Sequence, residues 1–482
     1  MLTVITWGVV AVSVAYFLNT IWLGLTSNLS KIPGPWHSKY TNAVLRYHIL
    51  TGRRIFYVDQ LHHIYGQVVR IAPDEVSVAD LDGFSKIHKI GSGFLKSDWY
   101  KDALPDNPGI FNMQDPHQHS SRRKLFARAF SNSSLRRNWE SEIRLKAELA
   151  VQKIKQDAQN GKADLLEWWT LMATDVIAHL NFGESFDMLK LGKQTAYIDA
   201  LQSALLGSVL RAEMPLVYMI CRILPIERIR KYTTANDIVH EYGSHAIRNM
   251  RSQQGNAQNL FGQMLAESDA PEKEFITDED VRIEAGNLIV AGSDTTAVSL
   301  TYLVWAVLKD PVLQSKLEEE IANLSEDLTL DELEKAPILN SVIEETLRLY
   351  GAAPGALPRT VPEQGTQING HQIPPKTVVT TQAYTLHRDP TIFPDPLRFD
   401  GLRFIDKSNM TVTQKTAFHP FGAGSRICLG IHLAWMELRM ATALFFRHCR
   451  GVKISQDMTD AMMEMDNRFL IAPKGHCCNV TL

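Results

Sequence analysis

Three short stretches of this 482-residue chain hold residue types at spacings that could do chemistry. The first, "FGAGSRICLG" (421–430), sets Cys428 among Gly422, Gly424 and Gly430. Glycine reaches dihedral angles closed to other residues and lets backbone approach a partner closely. Alone the stretch reads either as a surface turn with an incidental cysteine or as a shaped loop presenting a metal-bound thiolate. The second, "AGSDTT" (291–296), places Asp294 beside Thr295 in the middle of a helical pattern, where Gly, Ser, Asp and Thr are indifferent or poor formers. Thr295 can turn its hydroxyl onto the Ala291 carbonyl and loosen the ladder there. That leaves either a slightly bent helix or an acid and an alcohol opening into a cavity. The third, "EETLR" (344–348), puts Glu345 and Arg348 on one helical face. Arg403 in "DGLRF" adds a cation, and His119, Arg122 and Arg123 in "HSSRRK" form a basic cluster near a helix start. Taken by itself, such a cluster is a solvated face.

The elements that must position these groups are mostly helical. The longest helical pattern runs from Thr277 to about Leu308 and opens on "TDED", acids that suit a helix N-terminus. Further helices are predicted over 137–159, over "DLLEWWTLMATDVIAHLNF" from an Asp cap to Gly183, and over "DPVLQSKLEEEIANL" and "APILNSVIEETLRLY". Strands are expected only around "GQVVRIAPDEVSVAD" and "HQIPPKTVVTTQAY", where β-branched and polar residues alternate. Residues 385–406 read as loop. The fold class is mainly α with minor β.

A formal net charge of −3 carries no basic footprint for nucleic acid. Cys221, Cys428, Cys449, Cys477 and Cys478 include no C-x-x-C pair and suit a reducing compartment. Residues 2–25 carry no charge, and about 20 apolar residues span a bilayer. Trp7 and Trp22 suit the two interfaces, and the basic residues that follow place the body on the cytosolic side. The expected organisation is a transmembrane anchor at 2–25, a Pro-rich hinge at 26–38, and one catalytic domain at 39–482. A cleaved signal peptide would need a charged n-region, which is absent.

Read together and in order, these stretches resemble the cytochrome P450 family of haem-thiolate monooxygenases. "FGAGSRICLG" fits the family's F-x-x-G-x-R-x-C-x-G loop at every fixed position, "AGSDTT" fits its oxygen-binding helix, and E-T-L-R fits its E-x-x-R helix. "FDGLRF" keeps Arg403 but has Gly401 and Leu402 where the family usually has Pro and Glu. The resemblance implies haem b with Cys428 as thiolate ligand and Phe421 packed beside it. It implies that His119, Arg123, Arg359 and Arg426 bind the propionates, and that Glu345, Arg348 and Arg403 form a structural cluster.

It further implies O2 bound opposite the cysteine, with NADPH electrons arriving through a separate reductase and cytochrome b5 as a second donor. Asp294 and Thr295 would relay protons. Residues one turn before that relay and just after E-T-L-R would line the distal side: Leu288, Ala291, Ala353, Pro354 and Ala356, roofed by Phe111 and Met113. The expected substrate is a neutral lipophilic secondary metabolite, terpenoid (trichothecene-like) or polyketide. The expected location is the endoplasmic reticulum membrane, crossed once. Same-fold alternatives are an isomerase or dehydratase, and a further one is a haem carrier or sensor.

Overall fold

The Thr277 hydroxyl accepts the Asp280 backbone N–H at 3.1 Å while the Asp280 carboxylate accepts the Thr277 N–H at 2.9 Å. This reciprocal cap starts the longest helix, Asp278–Leu308, which at 31 residues is about 45 Å long. The computed structural model of the chain describes residues 2–104, 108–224, 226, 230, 232–235, 244, 259–262 and 277–482. The helices that position the site are, in chain order, α1 (Leu2–Thr26), α2 (Pro116–Ala127), α3 (Asn132–Gln159), α4 (Leu165–Phe182), α5 (Ala196–Glu213), α6 (Asp278–Leu308), α7 (Pro311–Ala322), α8 (Pro337–Tyr350) and α9 (Ile431–His448). Helix α3 begins five residues before the expected start. There the Ser131 hydroxyl takes the Ser134 N–H, a cap that the charged pattern of 137–159 does not reveal.

Helix α4 is buried nearly all round and packs along α6. Gly292 explains part of that closeness, since a Cβ there would lie 2.9 Å from Ile177 Cγ1. Helix α9 packs across both α3 and α6, and one apolar core joins these helices with α7 and α8. Asp175, fully buried on α4, accepts the Met188 and Leu189 amides at 3.1 and 3.0 Å, so its charge has partners.

The sheet is small. Strands β1 (Val68–Ala72), β2 (Glu75–Val78), β3 (Leu95–Lys96), β4 (Arg359–Thr360) and β5 (Val378–Thr381) align in the order β1-β2-β5-β4-β3, with only the β2–β5 pair parallel. Its consequence for the site is local: Lys96 and Arg359 are paired across the β3–β4 ladder.

Helix α1 has no charged residue and leaves Trp7, Phe17 and Trp22 largely exposed. Its Thr6–Thr26 stretch has a mean hydropathy of 1.7 and the length to cross a bilayer. The elbow after it holds two 3-10 turns, Asn28–Lys31 and Trp36–Lys39, on either side of an extended run. That run is pinned to β1, where the Arg70 N–H donates to the Pro33 carbonyl at 2.8 Å and a Cβ on Gly34 would lie 2.3 Å from the Arg70 carbonyl oxygen.

Candidate active site

Gly422 and Gly424 take φ of +74° and +66°, a region side-chain-bearing residues avoid, and a Cβ on Gly424 would lie 1.9 Å from the His88 carbonyl oxygen. The turn they allow brings the Cys428 N–H to the Phe421 carbonyl at 2.9 Å. Cys428 then sits just before α9, whose first turn begins at Ile431. The residue is solvent-accessible although protein atoms crowd around its thiol. Burial pushes its thiol pKa up, and the Gly430 N–H and the Arg123 guanidinium pull it back. Cys449 and Cys478, by contrast, are packed in the core, and all five thiols are unpaired.

Near this loop five basic side chains converge. His119 and Arg123 stand on α2, Lys96 and Arg359 on paired strands, and Arg426 in the cysteine loop itself. Arg426 donates to the Met113 and Gln114 carbonyls at 2.8 and 3.2 Å, and Arg359 to the Tyr100 hydroxyl at 3.5 Å. Lys96 donates to the Phe111 carbonyl. Among the described residues, none of the five forms an ion pair with a carboxylate. Burial and mutual repulsion show in the acidities of Lys96, His119 and Arg426. The Lys96 ammonium is held well below its usual range by burial, Arg359 and Arg426. Burial, Arg426, Lys96 and Arg123 lower His119 to about 3, and burial followed by Arg359 lowers Arg426 to about 10. Buried and half-buried basic groups without carboxylate partners, two of them driven towards their neutral forms, fit an anionic group with at least two acidic arms that would restore their protons.

A second opening lies on α6. Its middle is packed on both sides, yet Ala291 is exposed and Gly292, Asp294 and Thr295 are half-buried. The Thr295 hydroxyl donates to the Ala291 carbonyl at 2.6 Å, so the acid and alcohol stand at a locally loosened turn. Burial raises the Asp294 carboxyl to about 6, and a hydrogen bond from Gln202 on α5 draws it back down. One residue on, the Thr296 hydroxyl donates at 3.1 Å to Glu437 on α9, whose carboxyl burial raises to about 8. An exposed cysteine, an opened helix and a dianion-shaped set of cations are the features a buried haem would use, and the residues present fit it.

Glu345, fully buried, takes two bonds of 2.7 Å from Arg348 and two of 3.1 Å from Arg403, and accepts the Asp400 N–H at 2.9 Å. Arg348 also donates to the His387 and Pro396 carbonyls at 2.6 and 2.7 Å. These bonds clamp the 385–406 loop onto α8. At Gly401, where the motif usually has proline, the Leu313 side chain of α7 fills the space a Cβ would take, 2.5 Å from its Cδ2, and would have to move to admit one.

Of the remaining expected lining residues, Leu288, Met113 and Pro354 are buried, Ala353 and Ala356 half-buried, and Phe111 partly exposed. Phe111 reaches the Ala352–Ala356 segment through Phe469. The two rings meet edge-on at 5.7 Å, and Ile471, in the antiparallel hairpin of Met465–Asn467 and Ile471–Pro473 whose turn holds Phe469, donates to the Ala352 carbonyl at 2.9 Å. The basic run at 119–123 is no solvated face. His119 and Arg122 are buried, and Arg122 pairs with Asp280 and Glu284 of α6. Lys96, Gln202, Glu437 and Phe469 escaped sequence reasoning. Only Glu437, a carboxylate inside the apolar α9 pattern, carried a signal that could have been read.

The cytochrome P450 family profile matches residues 33–480. The chain is 41% identical to the cytochrome P450 monooxygenase aflV of Aspergillus parasiticus, over 99% of this chain and 97% of that protein. It is 40% identical to the cytochrome P450 monooxygenase stcB of Emericella nidulans, over 98% of this chain and 90% of that one. It is also 32% identical to the methylphloroacetophenone oxidase of Cladonia uncialis, over 78% of this chain and 85% of that protein.

Proposed function

This chain belongs to the cytochrome P450 family and is a haem-thiolate monooxygenase, and on that premise we propose that it is a membrane-anchored enzyme oxidising a neutral, compact, lipophilic secondary metabolite. The observation that carries the reading is the Cys428 loop, whose cysteine is solvent-accessible and stands among five basic side chains that have no carboxylate partner among the described residues. Haem held there supplies activation of O2, with electrons from NADPH delivered through a reductase.

Cys428 would serve as thiolate. The Gly430 N–H and Arg123 favour the ionised sulfur against the cost of burial, and donors to the sulfur tune its electron donation. Phe421 fixes the loop through its carbonyl and lays its ring toward Trp435, at 6.4 Å between centroids. His119, Arg123, Arg359 and Arg426, with Lys96 as a fifth, would neutralise the propionates, where a guanidinium's paired donors match a carboxylate.

Asp294 and Thr295 would deliver protons. A carboxyl near 6 gives and takes protons readily around neutral pH, and Gln202 holds it in place. Thr295, anchored on the Ala291 carbonyl, keeps its hydroxyl at the opened turn.

The proposed lining of Leu288, Ala291, Phe111, Met113, Ala353, Pro354 and Ala356 carries no charge. Burying an unpaired charge there would cost several kcal/mol by order of magnitude. Apolar surface is instead stabilised by roughly 25 cal/mol per Å² removed from water. Between terpenoid and polyketide skeletons, the relative named for an acetophenone supports an aromatic polyketide over the trichothecene-like alternative. The exposed, uncharged α1 supports an anchor at 2–25, with the 26–38 hinge and the cytosolic domain following it at the endoplasmic reticulum.

The test is spectroscopic and catalytic. Reduced protein with CO should give the red-shifted Soret band of thiolate ligation, lost in Cys428→Ala and kept in Cys449→Ala. With reductase, NADPH-dependent O2 consumption should yield an oxygenated product from extracts of the producing strain. Product without O2 uptake would assign the chain to an isomerase instead.

A further inference from the structure

The turn that carries Phe111 and Met113 is held to α6 by a buried carboxylate. Glu284, fully buried, accepts the Ile110 backbone N–H at 2.8 Å and an Arg122 donor at 3.3 Å on the same oxygen. Arg122 is itself buried and braced by Asp280 one turn earlier, at 2.7 Å. The approach is close. A Cβ on Gly109 would lie 2.3 Å from Asn287 Nδ2, 3.0 Å from Ile283 Cγ2 and 3.3 Å from the second Glu284 oxygen. Gly109 in turn accepts the Asn112 and Met113 amides at 3.1 and 3.0 Å, closing the turn.

We propose that Glu284 is a positioning residue for substrate selection, fixing through Ile110 and Gly109 where Phe111 and Met113 stand over the distal chamber. This rests on the reading that those two side chains face substrate. The other end of the turn is held on the cation side, by Lys96 at the Phe111 carbonyl and by Arg426 at Met113 and Gln114. The turn therefore bridges the oxidising centre and the long helix, and Glu284 is its attachment on the helix. Glu284 lies ten residues before Asp294, about 15 Å along the axis, so it acts on the substrate's wall and not on proton delivery. Burial raises its carboxyl to about 7 while Arg122 and the Ile110 amide draw it down. In either protonation state the bonded oxygen accepts the Ile110 N–H.

Glu284→Ala, Glu284→Gln and Gly109→Ala, each as haem-loaded full chain, test this by two readouts. The first is amide hydrogen exchange of the 108–115 segment, with the segment around Glu345 as reference. The second is the Soret shift on titration with imidazole, a small iron ligand, and with clotrimazole, a bulky one. Exchange at 108–115 should quicken in Glu284→Ala and Gly109→Ala and stay slower in Glu284→Gln. Clotrimazole should bind about tenfold more weakly in Glu284→Ala, as expected if the ordered turn is then populated about a tenth of the time, while imidazole affinity holds. Unchanged exchange at 108–115, or equal weakening of both azoles, overturns the proposal. A wild-type chain with no imidazole shift would instead defeat the haem-site reading, and exchange alone would then decide whether Glu284 holds the turn.

Discussion

Thr296 Oγ1 lies 3.1 Å from Glu437 Oε2, joining the residue after Thr295 to the helix that leaves Cys428, nine positions beyond that cysteine. The bond ties the two faces of the proposed haem site together in the core. Glu437 Oε1 has no partner among the described residues, and burial pushes the carboxyl to about 8. At neutral pH it is therefore mainly protonated.

Its stability consequence has a definite sign. Glu437 binds its proton more tightly folded than unfolded, so its contribution to stability falls as pH rises from about 4.5 towards 8. Glu437→Gln keeps the shape and an acceptor for Thr296 but does not titrate. Its melting temperature relative to wild type should rise between pH 5 and pH 8. A constant difference across that range would show that the carboxyl is not buried and neutral.

Proton delivery should carry the signature of Asp294. Product formation should change with an inflection near pH 6 in the wild type and lose it in Asp294→Asn. Because the Gln202 hydrogen bond favours the ionised acid, Gln202→Leu should move that inflection to higher pH. Thr295→Ala should keep NADPH oxidation but divert oxygen to peroxide. Fully coupled product formation in that variant would remove Thr295 from the relay.

Removing residues 2–26 should release most of the protein from microsomal membranes while the CO band persists. The sequons at Asn132, Asn323, Asn409 and Asn479 should carry no glycan, since a cytosolic body does not meet the lumenal transferase. Glycan at any of the four would reverse the orientation.

What could be read in advance followed chain-local chemistry. The long helix, its acidic start, the Thr295 back-bond to Ala291 and the Glu345–Arg348 pair each lie within a single helix, whereas the Arg403 contact to Glu345 crosses 58 residues and is expected only from the family resemblance. Arg122 was misread as solvated because its partners, Asp280 and Glu284, stand more than 150 residues later. Lys96 was missed for a similar reason. It joins the cations only through its β3–β4 pairing with Arg359, and an isolated lysine in "FLKSDWY" gives no sign of burial. The Gly401 departure from the motif becomes intelligible only once Leu313 of α7 is seen pressed against it.

If the basic cluster beside the cysteine loop holds haem as proposed, it also couples this enzyme to the cell's prosthetic-group supply. Arg123, Arg359 and Arg426 stand close together without a carboxylate partner among the described residues, and Lys96 and His119 are driven towards their neutral forms, so a bound dianion would favour the native state. A ligand that binds only the native form stabilises it in proportion to the logarithm of its free concentration over its dissociation constant. Thermal resistance should therefore climb with haem added during expression, and starved cells should accumulate less intact protein as chaperones and proteases clear the unliganded chain. On that reading the enzyme's abundance would be a gauge of porphyrin availability.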